Sequence, residues 1–377
     1  MADRDSEIIA RLAPSVGSVD GWDALAGRDP FTSRAFLTLL EESGSVGGHS
    51  GWSPAPILVD AADGALAGAA PAYLKSHSQG EYVFDHGWAE AWQRAGGNYY
   101  PKLQIAVPFT PVPGRRLLGE RPQALIAAAE AVVVQNGLSS AHATFIADEE
   151  VAEFEARQWL IREGIQYHWF NRGYGSFDDF LGALASRKRK AIRKERAGAR
   201  EGLEFIALRG GQIGRAEWAA MWRFYQDTGS RKWGQPYLTR EFFEGLGGAL
   251  GDAVLLLLAL RGGRPIAGAL NLVGADTLYG RYWGCDEEVP FLHFELSYYQ
   301  AIEWAIANGL GSVQAGAQGE HKLARGYEPV VTRSAHYLPN ADFRRAVRSF
   351  VEGERAAIRH ELDALREMLP YRREGSQ

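Results

Sequence analysis

The alternation of apolar and polar positions is most regular between Pro290 and Gly309. Proline suits the first turn of a helix, and an Asn-Gly pair is typical of a helix end. Between these signals, apolar residues recur at a spacing of three to four, which predicts a helix with one face packed on a sheet. That apolar face consists of Leu292, Leu296, Tyr299, Ile302 and Ile306.

A carboxylate, Glu295, falls inside this apolar face. A buried carboxylate either finds a partner or has its pKa raised, so Glu295 is a candidate catalytic base. Glu303 lies on the same face, which leaves a paired structural carboxylate as the alternative. After the helix, a predicted strand at 312–316 leads to the polar turn Gln318–Lys322, where a cleft could open at the strand's end.

Short apolar runs elsewhere predict strands and helices in an order that occurs twice. Predicted hairpins at 55–74 and 253–273 contain Leu66-Ala-Gly-Ala69 and Ile266-Ala-Gly-Ala269, and each is followed by a strand, a helix, Asn-Gly-Leu and a buried strand. Several matches in one order indicate a duplicated unit, although any α/β protein reuses Asn-Gly after helices. A strand at 81–84 and a helix at 149–163 are also predicted. The predicted fold is α/β (α+β): two tandem domains, each a mixed twisted sheet flanked by helices.

The repeat predicts an N-terminal domain at 1–172, a C-terminal domain at 173–340, and a charged helix and tail at 341–377. Composition agrees with two domains, since 377 residues with 46% hydrophobic content can bury a large core. A net charge of −5 argues against a general nucleic-acid binder, and a single cysteine excludes an intramolecular disulfide. No secretory signal or bilayer-length apolar run is present, so a cytoplasmic protein without membrane insertion is expected. The histidines lack metal-ligand spacing, so no metal is predicted.

Several long segments resemble one known family: Phe84–Trp88, Asn98–Leu103, Pro108–Gly114, Arg187–Lys194 and Gln318–Tyr327. They look like the Fem-like N-acyltransferases labelled "peptidoglycan biosynthesis/recognition", and the duplicated unit resembles the GNAT acyltransferase superfamily. The resemblance implies tandem GNAT-like domains. It also implies transfer of an acyl or aminoacyl group, from a CoA thioester or an aminoacyl-tRNA, to an amine by direct attack. No covalently bound cofactor is implied, acyl-CoA being a co-substrate at most; the acceptor and the oligomeric state stay open.

Direct transfer requires a base for the amine and hydrogen-bond donors for the carbonyl oxygen. In a GNAT-like unit the strand before the helix, here 277–284 in the second half and 100–107 in the first, offers backbone N–H groups. The candidate catalytic residues are Glu295, Glu320, His321 and Lys322. The lysine resembles one in the Fem pattern that contacts phosphate or carbonyl, and a solvated turn lysine is the alternative. The candidate substrate contacts are Asp85, His86, Tyr100, Lys102, Arg281, Trp283 and Gln318.

Two segments are candidates for binding the acyl donor. Arg116-Leu-Leu-Gly119-Glu-Arg121 precedes a predicted helix and matches two of the three fixed positions of the GNAT pyrophosphate loop. A helix is predicted to begin at the capping box Ser176-Phe-Asp-Asp179, and its basic face with Arg187, Lys188, Lys190 and Arg193 would suit an RNA backbone, although such a face is often only solvated. The choice between CoA and tRNA therefore stays open.

Two further hypotheses belong to other classes. A duplicated fold can lose its chemistry, which would leave a silent binding module for a peptidoglycan-type or peptide ligand. The basic helix could instead attach the protein to an anionic membrane surface, in a salt-sensitive way. Consumption of the acyl donor would distinguish an enzyme from a silent binding module and from a membrane-attached protein.

Overall fold

The computed structural model describes residues 9–232, 236–316 and 319–372. The chain forms two compact units. Unit 1 comprises the chain up to Gly164 together with Val331–Arg359, and unit 2 comprises Ile165–Val330 and the chain from His360 onward. Each unit therefore includes a segment from a distant part of the chain that the contiguous predicted ranges do not assign to it.

Unit 1 contains two groups of strands. In the first, β1-β3-β4-β7, all neighbours are antiparallel; in the second, β2-β5-β6-β8, only β6 and β8 run parallel. The elements are β1 (Ile9–Leu12), α1 (Trp22–Ala26), α2 (Arg34–Glu42), β2 (Trp52–Pro54), β3 (Ile57–Asp60), β4 (Leu66–Ala70), β5 (Ala72–Lys75), α3 (His86–Arg94), β6 (Lys102–Ile105), β7 (Leu118–Gly119), α4 (Pro122–Gln135), β8 (Ala141–Ile146) and α5 (Val151–Ala156). The strand β9 (Leu160–Phe170) begins in unit 1 and ends in unit 2.

Unit 2 is built on the strand order β10-β11-β12-β13-β14-β9, in which only β13 and β14 run parallel. Its elements are α6 (Phe177–Ala183), α7 (Ser186–Arg200), β10 (Glu204–Arg209), α8 (Arg215–Lys232), α9 (Arg240–Leu250), β11 (Val254–Arg261), β12 (Arg264–Val273), β13 (Thr277–Cys285), α10 (Leu292–Phe294), α11 (Gln300–Ala307) and β14 (Ser312–Gln314). A π-helical turn, Glu295–Tyr299, joins α10 to α11. The chain continues through β15 (Glu328–Tyr337), which pairs with β8 in unit 1, and α12 (Ala341–Glu367).

The predicted fold class is confirmed. In each unit a hairpin of antiparallel strands is followed by a parallel pair joined through a helix: α4 joins β6 to β8, and α10–α11 join β13 to β14. The helix connecting β13 to β14 turns its apolar stripe, including Leu296 and Ile302, into the core of unit 2. No helix in the described ranges is long and apolar enough to cross a lipid bilayer.

Three predicted elements are wrong. Segment 81–84 is not a strand, because Tyr82 has φ 58°, a left-handed conformation that a strand does not allow. The helix predicted at 149–163 ends at Ala156, because Gln158 also has positive φ and the buried run from Leu160 extends as β9. The basic helix predicted to start at Ser176 is two helices, α6 and α7, separated by an extended Leu184.

Candidate functional site

A groove opens in unit 2 where two parallel strands separate. β13 pairs with β14 only from Thr277 to Tyr279, whereas β13 itself continues to Cys285. Beyond Tyr279 this edge of β13 has no pairing strand among the described residues, and the space beside it is here called the groove. A β-carbon at Gly280 would lie 3.4 Å from the Ala315 Cα atom. This glycine therefore lies at the vertex, the point where β13 and β14 separate.

A β-bulge distorts β13 at this vertex. Leu270 of β12 pairs with Tyr282 and Asn271 pairs with Gly280, so Arg281 is an extra residue in β13. Bulges redirect the backbone groups beside them and are frequent next to active sites. The predicted substrate contact Arg281 thus lies at the point where the strand edge enters the groove.

A cavity of about 460 Å³ lies next to the end of β13. Trp283, a predicted substrate contact, lines it, and the ring centroid of Trp283 lies 5.1 Å from that of His293. The lining is mainly aromatic and aliphatic, with two carboxylates. The lining residues are Trp283, Cys285, Glu287, Glu288, Val289, Pro290, Phe291, Leu292, His293 and Phe294.

Lys322 lies in a 3₁₀ turn, Glu320–Arg325, and is only 1% exposed. Its Nζ atom donates to the Gly316 carbonyl at 2.8 Å, two residues beyond the end of β14. Burial lowers the pKa of Lys322 to about 7, because the charged form loses its hydration. A lysine with this pKa is partly unprotonated near neutral pH, so it can accept a proton.

The other predicted catalytic residues of the turn are more exposed. The His321 Nε2 atom lies 2.9 Å from the Tyr298 hydroxyl, and the His321 ring lies 5.7 Å from that of Phe294 at the cavity. Burial raises the pKa of Tyr298 to about 12, so its phenol stays protonated and can donate. Glu320 is exposed to solvent, and Gln318 lies outside the described residues.

Glu295 is held by internal partners. The carboxylate is fully buried on the π-helical turn and accepts from Arg196 Nε at 3.1 Å, Arg200 Nε at 2.8 Å and Gln300 Nε2 at 2.9 Å. Glu303 binds the same two arginines from a half-exposed position. This geometry favours an anchor between α7 and the π-helical turn, which is the alternative that the sequence left open.

The remaining exposed face of α7 forms a basic stripe, defined by Arg187, Lys190 and Lys194. Gly198 lies further along the same face, and a β-carbon there would lie 3.7 Å from the ring of the cavity residue Phe291. Of the other predicted donor-binding residues on α7, Lys188 is half-buried and Arg193 is exposed, 3.1 Å from the Asp178 carboxylate. The basic stripe therefore leads toward the cavity.

The predicted pyrophosphate loop of unit 1 is occupied from within. The backbone N–H groups of Arg116 and Leu117 donate to Glu150 Oε1 at 2.7 and 2.6 Å, and the Arg116 side chain is buried against backbone carbonyls. Gly119 pairs with β4, where a β-carbon would approach the Ala67 carbonyl to 2.4 Å. Of the predicted donor contacts in this loop only Arg121 is exposed, so a carboxylate already fills the position expected for an anion.

The predicted substrate contacts of unit 1 form a buried charge cluster. Lys102 is fully buried and donates to Asp85 Oδ2 at 2.5 Å and Glu81 Oε2 at 2.7 Å. Tyr100 joins through Ser78, whose Oγ lies 2.8 Å from the tyrosine hydroxyl. Burial opposes the ionisation of Asp85, but the Lys102 ammonium dominates and holds the pKa of Asp85 below its usual range. The fifth residue of this group, His86, lies outside the cluster: it is exposed and stacks on the Phe84 ring.

Four residues near these sites, Asn271, Gly280, Tyr298 and Glu81, were not predicted from the sequence. Asn271 is 1% exposed in the buried strand β12, and its Oδ1 atom lacks a hydrogen-bond partner among the described residues. A polar residue within an apolar strand was the available signal, as was a glycine inside a strand for Gly280. Tyr298 and Glu81 carried no such signal, because their positions depend on tertiary contacts.

The sequence matches one protein family, and the fold is similar to those of solved structures. Residues 16–373 match the FemAB-like family, described as peptidoglycan biosynthesis/recognition. The fold is similar to that of FemX, at 13% identity and a TM-score of 0.54 over 87% of this chain and 97% of that one. It is also similar to L-PGS from Bacillus licheniformis, at 12% identity and a TM-score of 0.51 over 83% and 93% of the two chains. No curated protein sequence matches. Since the family match spans nearly the whole sequence, the chain belongs to the FemAB-like family.

Proposed function

We propose that the protein transfers an acyl or aminoacyl group from a phosphate-bearing donor to an amine, in the groove of unit 2. The observation that carries the proposal is Lys322, a buried lysine with a pKa of about 7 beside the point where β13 leaves β14. Membership in a peptidoglycan biosynthesis/recognition family supports an acceptor related to peptidoglycan.

The reaction needs few groups. The acceptor nitrogen, once neutral, attacks the carbonyl carbon, and the oxyanion that forms is stabilised by hydrogen-bond donors. The redirected backbone of β13 around Arg281 would supply N–H donors, and unprotonated Lys322 would take the proton of the attacking amine. The bond to the donor's leaving group then breaks, and that group receives a proton. Tyr298, protonated at neutral pH, can supply one through its contact with His321.

The phosphates of the acyl donor would lie on the basic stripe of α7. In the β13–α10 loop, Asp286, Glu287 and Glu288 carry negative charge and Pro290 lacks an N–H group, so this loop is poorly suited to a pyrophosphate. The stripe offers cations instead. Lys190 and Gly198 are eight positions apart on one helix, so the phosphates would lie about 12 Å from the cavity.

The test follows consumption of acyl-CoAs and of aminoacyl-tRNAs with amine acceptors, which include peptidoglycan stem peptides. Wild-type protein should consume one donor class, with a rate that rises with pH through about 7. Lys322→Met should lower the rate by about 100-fold or more. Lys322→Arg keeps the charge but not the base, so recovery of the rate in this variant would contradict the assigned role. Lys190→Glu with Lys194→Glu should raise the KM for the donor, whereas the control Arg348→Glu with Arg359→Glu, two exposed cations of α12, should leave it unchanged.

A silent binding module is the second candidate, because a specific observation favours it. The predicted donor loop of unit 1 is filled by Glu150, and the corresponding loop of unit 2 carries three carboxylates in a row. A module would bind stem peptides without consuming any acyl donor. Binding of a peptide in calorimetry, together with no turnover in the whole donor panel, would support the module and contradict the enzyme.

A further inference from the structure

One face of the second strand group of unit 1 is polar although it is buried. Lys75 on β5 lies opposite Lys102 on β6, and His142 on β8 lies opposite His336 on β15. None of these four side chains is more than 1% exposed, while the other face of the same strands packs Leu103 and its neighbours into an apolar core. Burying charges is costly unless each one is compensated, so this face requires an explanation.

The acidic partners of Lys102 leave two acceptor atoms unused. The Lys102 ammonium donates to Ser78, Glu81 Oε2 and Asp85 Oδ2, which exhausts its three hydrogens. Glu81 Oε1 and Asp85 Oδ1 are buried and have no hydrogen-bond partner among the described residues. Both carboxylates are more than nine-tenths buried and converge on one ammonium, so their unused oxygens belong to the same site.

Unused donors lie beside these acceptors. The Trp52 Nε1 atom is also buried without a partner in the described part of the chain. The Lys75 Nζ atom lies 3.7 Å from the centroid of the Trp52 ring and donates to the Gln79 carbonyl at 2.9 Å. It lies 3.8 Å from Glu81 Oε1, which is too far for a hydrogen bond. Lys75 and Glu81 therefore carry opposite charges at close range without a hydrogen bond between them, and the Trp52 ring lies beside the Lys75 ammonium.

The segment Ser76–Phe84, here called the cover segment, borders this cluster. It supplies Ser78 and Glu81 to the cluster, and its backbone adopts left-handed conformations at Gly80 and at Tyr82, the latter strained for a non-glycine residue. Its end is held by Arg162, which donates to the Phe84 carbonyl at 2.7 Å and is itself fixed by Glu354. Within the cover segment, Ser78 Oγ is bonded to Tyr100 and Lys102, and the Gly80 carbonyl accepts from the Phe109 N–H group, so opening breaks these bonds as well.

We propose that this face of unit 1 is a ligand site, closed by the cover segment, that binds a small amino-acid zwitterion. The ligand's ammonium would bind Glu81 Oε1 and Asp85 Oδ1, and its carboxylate would bind Lys75 and Trp52 Nε1. The two lysines and two carboxylates sum to zero charge, so a zwitterion adds no net buried charge, whereas a lone cation or anion would add one. Burial moves the pKa of Lys75 and that of Glu81 to about 7, and the opposite charges of a zwitterion would restore both ionised forms. The site lies outside the groove of unit 2 and does not depend on the transfer reaction.

Calorimetric titration of the full-length protein tests the site. The probes are glycine, L-alanine and D-alanine, with methylamine and acetate as half-ligands. At least one zwitterion should bind saturably, and both half-ligands should bind about 10-fold more weakly or worse. No zwitterion binding by the folded protein, or equal binding of a half-ligand, would overturn the proposal.

Variants locate the binding. Asp85→Asn and Glu81→Gln should weaken zwitterion binding by about 10- to 100-fold. Trp52→Phe keeps an aromatic ring and removes only the N–H donor, so it tests the carboxylate contact even if the acidic variants fail to fold. The control Glu90→Gln alters an exposed carboxylate of α3 and should bind as the wild type does. Wild-type affinity in a folded Trp52→Phe variant would contradict the assigned contacts.

Discussion

Lys322 shows how one buried group makes stability depend on pH. Burial lowers its folded-state pKa from 10.5 to about 7. Between those values the unfolded chain binds more protons than the folded protein, so the contribution of Lys322 to stability rises with pH and is smallest below about pH 7. The slope is at most about 1.4 kcal/mol per pH unit for one proton.

Lys322→Met should remove this slope. Free energies of unfolding measured with urea between pH 7 and pH 10 should show that the variant becomes more stable relative to the wild type as the pH falls. The control Lys194→Met changes an exposed lysine of α7 and should keep the wild-type slope. An unchanged slope in Lys322→Met would show that this lysine ionises normally.

Gly284 tests the packing of β13 at the level of a single methyl group. A β-carbon there would lie 2.0 Å from the Phe224 carbonyl oxygen of α8, so Gly284→Ala forces two backbones apart. We expect a loss of about 2–3 kcal/mol in unfolding free energy. The control Gly248→Ala lies in helix α9 with nothing within 4 Å, and should stabilise by about 0.5–1 kcal/mol. Equal thermal melting shifts in the two variants would refute this packing.

At the scale of elements, the connection between α7 and the π-helical turn rests on Glu295. Removing its charge leaves Arg196, whose side chain is 11% exposed, with only the half-exposed Glu303 as an anionic partner, so Glu295→Gln should cost about 3 kcal/mol or more. Glu303→Gln changes a half-exposed partner of the same arginine and should cost less than about 1 kcal/mol. Urea unfolding measures the loss of unfolding free energy in each of these two variants. If Glu295 is an anchor, folded Glu295→Gln keeps its turnover rate; loss of turnover without loss of stability would make it a catalytic group.

The sequence predicts elements well where local signals decide. α4 begins at Pro122 and β11–β12 form the expected hairpin, because proline and the Gly-Gly turn act within a few residues. The run from Trp159 to Ile161 is different, because a short apolar run fits a helix or a strand equally well and only pairing across the sheet decides. The π-helical turn is likewise hidden, since it changes neither composition nor capping.

The candidate site is harder to predict than the fold. The sequence identifies Trp283 and Lys322, but burial, which sets the pKa of Lys322, is a tertiary property. Arg116 fits a loop motif of the family, yet Glu150, 34 residues away, takes up the backbone N–H groups that the motif would offer. The sequence motif alone does not reveal that a glutamate distant in sequence binds these N–H groups.

At the scale of the whole molecule, α12 contributes to the cores of both units. Val351 is 3% exposed and packs with Trp88 and Tyr99 in unit 1, whereas Leu365 is 5% exposed and belongs to the core of unit 2. The two side chains lie on one helix but serve different cores. They therefore offer a matched pair for testing whether the units unfold separately.

If the duplicated units are separate cooperative units, a cavity in one core should loosen that unit alone. Leu365→Ala should cost about 2–5 kcal/mol and speed amide hydrogen exchange in β11–β13, with little change in β5, β6 and β8. Val351→Ala should do the reverse. The large-to-small change is similar in both, so the location of faster exchange is the decisive observable. Faster exchange throughout the chain in either variant would mean that the two units unfold as one, and that duplication of the sequence has not produced two independent folding units.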